Sequence, residues 1–143
     1  MNTQSARKVG DGNPRTFEEA HAFVSLVESL FMPWNVDGLL AGFTDDCVVR
    51  YAEFPEMKGK EELGKFFRSR SVRQPDFDIQ KTCRMLMNDM IANSWNCTWT
   101  DAQTGKKMWG KGLEFFTMRD GKVALWEGAF NFNEVGKRNT GIV

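Results

Sequence analysis

An Asp-Gly pair at 120–121 stands between two long alternating stretches, and it restricts the fold more than any other feature of the chain. The segment 105–133, GKKMWGKGLEFFTMRDGKVALWEGAFNFN, reads as a β-hairpin turning at Arg119-Asp120-Gly121-Lys122. Successive side chains of a strand point to opposite faces, so the pattern assigns them in advance. Met108, Gly110, Gly112, Glu114 and Phe116 share one face of the first arm, and Trp109, Lys111, Leu113, Phe115 and Thr117 share the other. In the second arm Trp126, Gly128, Phe130 and Phe132 oppose Leu125, Glu127, Ala129 and Asn131.

Two details of the first face need a physical reason. Glycine weakens a strand interior unless the sheet bends or something approaches the backbone closely, which makes Gly110 and Gly112 informative. Glu114 lies on the same face between Gly112 and Phe116. A carboxyl among apolar neighbours is exposed at an edge, paired, or chemically employed.

The 143 residues suit one domain. Lys plus Arg and Asp plus Glu number 19 each, and this balance favours neither nucleic acid nor an anionic membrane as partner. Cys47, Cys83 and Cys97 stand far apart and form neither a metal-ligand pattern nor a disulfide framework. With no apolar run at the N-terminus resembling a signal peptide and no segment long enough to span a bilayer, a cytoplasmic protein is expected. Twelve Phe and five Trp imply a generous core, or an apolar cavity together with an oligomer interface.

Residues 1–15 are polar and aperiodic and read as a flexible tail, leaving 16–143 as the domain. Thr16 to Glu19 has capping-box form, and apolar residues at helical spacing predict a helix over 17–31, ended by Pro33. Asn35 or Asp37 caps a shorter helix carrying Val36, Leu39, Leu40 and Phe43. A short strand follows at 47–51, then a third helix after Gly59 that buries Leu63, Phe66 and Phe67. Arg68, Arg70 and Arg73 read as a solvated helix end. Strands at 79–87 and 91–100 precede the hairpin, with a turn at Asn88-Asp89. Helices first and an antiparallel meander after them is the α+β arrangement. Both faces of the last strands carry large apolar groups. One packs on the helices, and the other, with Trp109, Leu113, Phe115 and Leu125, predicts a homodimer through the outer sheet face.

The ordered set Trp34-Asn35-Val36-Asp37-Gly38-Leu39, Phe43-Thr44-Asp45-Asp46-Cys47-Val48, Met57-Lys58-Gly59-Lys60-Glu61-Glu62 and Gly112-Leu113-Glu114-Phe115-Phe116 with Asp120-Gly121-Lys122-Val123 resembles the NTF2-like superfamily. Within it, the style is closest to the SnoaL-like polyketide cyclases and ketosteroid isomerases. The resemblance covers about 16–132. It implies a cone in which a curved sheet wraps a long helix, with an apolar ligand pocket at the open end and a homodimer. It places Glu114 where the isomerases carry a protonated Asp that donates to the developing oxyanion. It puts Trp126, Gly128 and Phe130 on the pocket wall, the glycines leaving room for a ligand. The isomerases' general-base Asp falls at Tyr51, and their helix-one Tyr falls near Val27. These replacements argue against steroid isomerisation by that route. SnoaL-like cyclases use a pocket Asp and His, and the single histidine here is His21.

The expected catalytic residues are Glu114 and Tyr51, and the expected ligand contacts are Trp34, Glu53, Trp99, Trp126, Phe130 and His21. Strand parity groups Tyr51 with Glu53 on the inner face. Burial disfavours a charged carboxyl, so Glu114 walled by rings is expected to favour its neutral form and to act as acid or base. Tyr51 is expected to donate to a carbonyl or enolate oxygen. The chemistry this set supports is proton transfer next to a carbonyl on an apolar, oxygenated small molecule: isomerisation, cyclisation or dehydration. No metal and no cofactor are expected. A ligand-binding module without catalysis and a protein-interaction module are the alternatives.

Overall fold

The computed structural model describes residues 12–138. Three helices, α1 (Phe17–Ser29), α2 (Val36–Ala41) and α3 (Gly59–Arg73), pack on a sheet of six strands. The strands are β1 (Phe43–Tyr51), β2 (Met57–Lys58), β3 (Asp78–Met87), β4 (Met90–Thr100), β5 (Lys107–Arg119) and β6 (Lys122–Glu134). Their spatial order is β2-β1-β6-β5-β4-β3. The expected α+β class and meander are present. Two features are added: the short strand β2 pairs antiparallel with β1, and β1 joins the sheet parallel to β6, with Tyr51 opposite Gly128.

Local chemistry accounts for the boundaries. Thr16 caps α1 by accepting from Glu19 N at 3.1 Å, and Asn35 caps α2 by accepting from Gly38 N at 2.8 Å. The β5–β6 turn places Asp120 at φ 53° and Gly121 at φ 75°, the left-handed pair of a tight hairpin. β1 is longer than expected, because residues 43–46 extend it from the end of α2, and Phe43, expected on the helix, opens the strand instead. Residues 12–15, the end of the expected tail, are held in place. Asn13 donates to Asp89 Oδ1 (2.9 Å) and Met118 O (3.2 Å) and accepts from Gly121 N (2.8 Å), bridging two hairpin turns. The rest of that expected tail, 1–11, lies outside the described residues.

The alternation predicted for the hairpin is observed. Phe116, Trp126 and Glu114 are buried, whereas Leu113 and Phe115 on the opposite face are 64% and 46% exposed. The registers bring Asn93, Glu114, Gly128 and Tyr51 into one rank across β4, β5, β6 and β1. The neighbouring rank is Lys81, Trp95, Gly112 and Phe130 across β3, β4, β5 and β6. α1 lies along β3, where Glu28 accepts from the Lys81 backbone N–H and so satisfies a donor of the edge strand.

The glycines serve the protein's own rings. A Cβ at Gly110 would meet Phe132 at 2.3 Å, one at Gly112 would meet Trp95 at 2.4 Å, and one at Gly128 would meet Tyr51 at 2.8 Å. The expectation that they leave room for a ligand is corrected accordingly: each lets an aromatic ring of a neighbouring strand lie flat on the backbone.

Candidate functional site

Glu114 is 1% exposed at the centre of the inner face. Its carboxyl accepts from the Lys81 ammonium, from Trp126 Nε1 at 3.0 Å and from Asn93 Nδ2 at 3.4 Å. The Lys81 side chain is itself 3% exposed, and its ammonium lies 5.7 Å from the ring centres of both Phe31 and Phe116. Only donors surround the carboxyl. The walls are aromatic as foreseen, and a buried ammonium that was not foreseen is paired with the carboxyl.

Lys81 was missed because a lysine in a strand is ordinarily a solvated or edge residue. The signal was there in the parity. Ile79, Lys81 and Cys83 share one face of β3, and Ile79 and Cys83 are buried.

Tyr51 is buried at the end of β1, its ring 4.4 Å from that of Trp126 and 4.6 Å from that of Phe130. Trp126 thus touches both expected catalytic side chains. Burial pushes the Tyr51 hydroxyl well above the usual phenol range, with the Glu114 charge adding to it and Arg70 opposing. It is a neutral donor at physiological pH.

Arg70 turns inward from α3, contrary to the solvated helix end expected for it. Its guanidinium lies 4.8, 5.4 and 5.6 Å from the ring centres of Phe77, Trp34 and Phe66, and Nε donates to Gln74 Oε1 at 2.9 Å. The Tyr51 hydroxyl is within its hydrogen-bonding reach. Nη2 is buried with no hydrogen-bond partner among the described residues, as are Trp95 Nε1 and Asn93 Oδ1. Cys97 lies near both Arg70 and Lys81, and burial pushes its thiol up to about 12.

The structure brings Glu114, Tyr51, Trp126 and Phe130 together. Trp34 and Trp99 border them: Trp34 stacks on Phe77 at 5.6 Å and donates to Gln74 O at 2.8 Å, and Trp99 meets Phe132 at 4.9 Å. Two expected contacts are corrected. Glu53 is exposed, because β1 ends at Tyr51 and the chain turns through Ala52 at φ 47°, breaking the parity that grouped them. His21 lies on the exposed side of α1, stacked at 6.5 Å on Phe17, and takes no part in the interior. Among the described residues no group of three or more His, Cys, Asp or Glu is placed to hold a metal ion, and no helix is long and apolar enough to cross a membrane.

A family model for the SnoaL-like domain matches residues 15–126. The chain belongs to the SnoaL-like family. Solved structures with the same fold include an epoxide hydrolase/cyclase-like enzyme with a role in pyran ring formation in the polyether salinomycin (TM-score 0.72, 12% identity, 82% of this chain and 96% of that one). They also include a candidate hydroxylase from Streptomyces galilaeus (TM-score 0.70, 20% identity, 81% of each chain). A candidate polyketide cyclase from Xanthomonas campestris pv. campestris has a TM-score of 0.70 at 17% identity, over 80% of this chain and 91% of that one. No curated protein sequence matches. At these identities the likeness is one of fold, the NTF2-like cone, and the SnoaL-like family supplies the frame in which the Glu114 site is read.

Proposed function

We propose that this SnoaL-like protein is a cofactor-independent acid/base enzyme acting on an apolar, oxygenated small molecule, of the isomerase, cyclase or dehydratase type. The carrying observation is the Lys81–Glu114 pair buried beneath Trp126, with the neutral Tyr51 hydroxyl next to it. A buried ion pair is a poor device for stability, since apolar residues of similar volume do as well or better, and this favours a functional reading of the pair. In this reading Glu114 takes a proton from carbon next to a carbonyl, and Tyr51 donates to the oxygen on which charge develops. Glu114, now neutral, returns the proton to another carbon or to a departing hydroxyl. Lys81 positions the carboxylate.

Access runs past Phe54. This residue sits on the turn after β1, is 47% exposed, and stacks parallel to Tyr51 at 6.2 Å. A substrate ring takes its place over Tyr51. The outer-face homodimer belongs to the same reading, supported by exposed Leu113 and Phe115 and by an open hollow of about 500 Å³ there, bordered by Ser94, Lys111, Leu113 and Ala129. The cytoplasmic setting is supported by three free, buried cysteines.

The test is a thermal-shift screen of cyclic enones, phenols, lactones and epoxides on wild type and Glu114→Gln, followed by turnover assays on the hits. A hit converted by wild type and about 100-fold slower with Glu114→Gln is the expected result. Equal turnover by both proteins overturns the reading. The complete pairing of Glu114 favours a second reading, a ligand-binding protein without catalysis, for which hits bind both proteins and are recovered unchanged.

A further inference from the structure

The interior charges do not balance. Lys81 and Glu114 neutralise each other. Tyr51 is a neutral phenol and Cys97 a neutral thiol. Arg70 remains, with no carboxylate paired to it among the described residues and with Nη2 buried and unpartnered. Trp95 Nε1 is also an unpartnered buried donor, but a neutral one, and leaving a charged donor unsatisfied costs far more.

The group is nevertheless rigidly held. Gln74 fixes Nε at 2.9 Å, and Gln74 is fixed in turn by Trp34 Nε1 donating to its carbonyl at 2.8 Å. Phe77, Trp34 and Phe66 surround the guanidinium plane. Arg70 can only donate to the Tyr51 oxygen, which leaves the hydroxyl proton of Tyr51 free to point elsewhere. The Tyr51 hydroxyl lies near the guanidinium, and among the described residues nothing accepts from Nη2. Flat rings form the walls around it.

We propose that Arg70 is the anion anchor of the site, and that its ligand is a planar, ring-bearing molecule carrying an anionic oxygen, seated on Arg70 Nη2 and the Tyr51 hydroxyl. This rests on the reading of the Glu114 interior as a ligand site and adds the charge of the ligand to it. The anion supplies the missing counter-charge through a charge-assisted hydrogen bond to Nη2. An uncharged isostere leaves Nη2 facing a carbonyl or an amide and forfeits that gain.

The experiment compares 2-naphthoate, its uncharged isostere 2-naphthamide, and 2-hydroxy-1,4-naphthoquinone, an acidic enol ionised at neutral pH. Dissociation constants are measured by calorimetry, with thermal midpoints as a second readout, on wild type, Arg70→Met, Arg70→Lys and Glu114→Gln. Wild type is expected to bind naphthoate about tenfold or more tightly than naphthamide. Arg70→Met is expected to abolish that preference, and Arg70→Lys to keep part of it. Binding of the quinone as well as naphthoate identifies the shared anionic oxygen as the recognised group, and binding of one alone identifies its source. Equal affinity for acid and amide in wild type, no binding of any probe, or an undiminished preference in Arg70→Met overturns the proposal. Should Arg70→Met not fold, wild type and Arg70→Lys decide: the preference must be present in the first and smaller in the second. Glu114→Gln separates the two readings. An acid preference that persists there, with no Glu114-dependent turnover of any compound, leaves the anchor standing and removes the catalysis; the reverse pattern does the opposite.

Discussion

Lys81 shows how one side chain changes the meaning of another. Without it, Glu114 would be a carboxyl stranded among rings; with it, the two form a pair that neither can leave cheaply. Removing one partner exposes the other as an uncompensated buried charge. Lys81→Met is therefore expected to cost about 3–5 kcal/mol, whereas Lys81→Met with Glu114→Leu recovers most of that loss. Urea unfolding of the wild type, the single and the double variant measures both numbers, and a double variant no more stable than Lys81→Met sinks the argument. Gly112 gives a second expectation at this scale. A methyl group there would press on the Trp95 ring at 2.4 Å and on the Ala129 carbonyl oxygen at 2.8 Å, and the second of these is backbone that cannot swing aside. Gly112→Ala is expected to destabilise by about 1–3 kcal/mol by the same unfolding measurement. The sequence showed that Gly112 was special, but it could not show whose ring the space was kept for. That depends on the rank in which β3, β4, β5 and β6 align.

Between elements, the C-terminal end of α3 is moored to the turn that follows β4. Arg73 donates to both carboxylate oxygens of Asp101, from Nε to Oδ1 at 3.3 Å and from Nη2 to Oδ2 at 2.8 Å, and Ala102 N donates to Arg73 O at 3.0 Å. The Arg73 guanidinium holds the Asp101 carboxyl below the usual aspartate range. A carboxyl depressed in the folded state contributes stability above its unfolded value, about 3.9, and loses it as pH falls through the lower folded value. The thermal midpoint of wild type should therefore exceed that of Asp101→Asn by the widest margin at neutral pH, with the gap closing below about pH 4. A constant gap across that range would remove the ion pair as its cause. Most elements were legible beforehand, because caps, Asp-Gly turns and period-two alternation are local signals that name their own partners. The pairing of β1 with β6 was not, since nothing near residue 51 announces residue 128. For the same reason Arg70 was read as solvated: on α3 alone it belongs to a basic run, and only the docking of that helix across β1 buries its guanidinium tip.

For the molecule as a whole, the outer face carries a share of the exposed apolar surface. Leu113 and Phe115 project from it, and Met85, Met87 and Met90 are exposed nearer the sheet edge. A homodimer through this face predicts that Leu113→Glu lowers the mass measured by light scattering from two chains to one at micromolar concentration, with the thermal midpoint of the separated chain reduced. A wild type that is monomeric at the same concentration sets the dimer aside. The parallel seam between β1 and β6 bears on how the molecule is assembled in time. Tyr51 is made early, yet β6, the strand that gives it a register, is synthesised more than seventy residues later. Until Gly128 arrives, β1 has only the two residues of β2 beside it, and its other edge is open. Contacts so distant along the chain form slowly, and an unpaired edge is exposed to other chains in the meantime. The interior proposed as the working part is thus closed by β6, so a chain that has not finished folding has nowhere to hold a ligand.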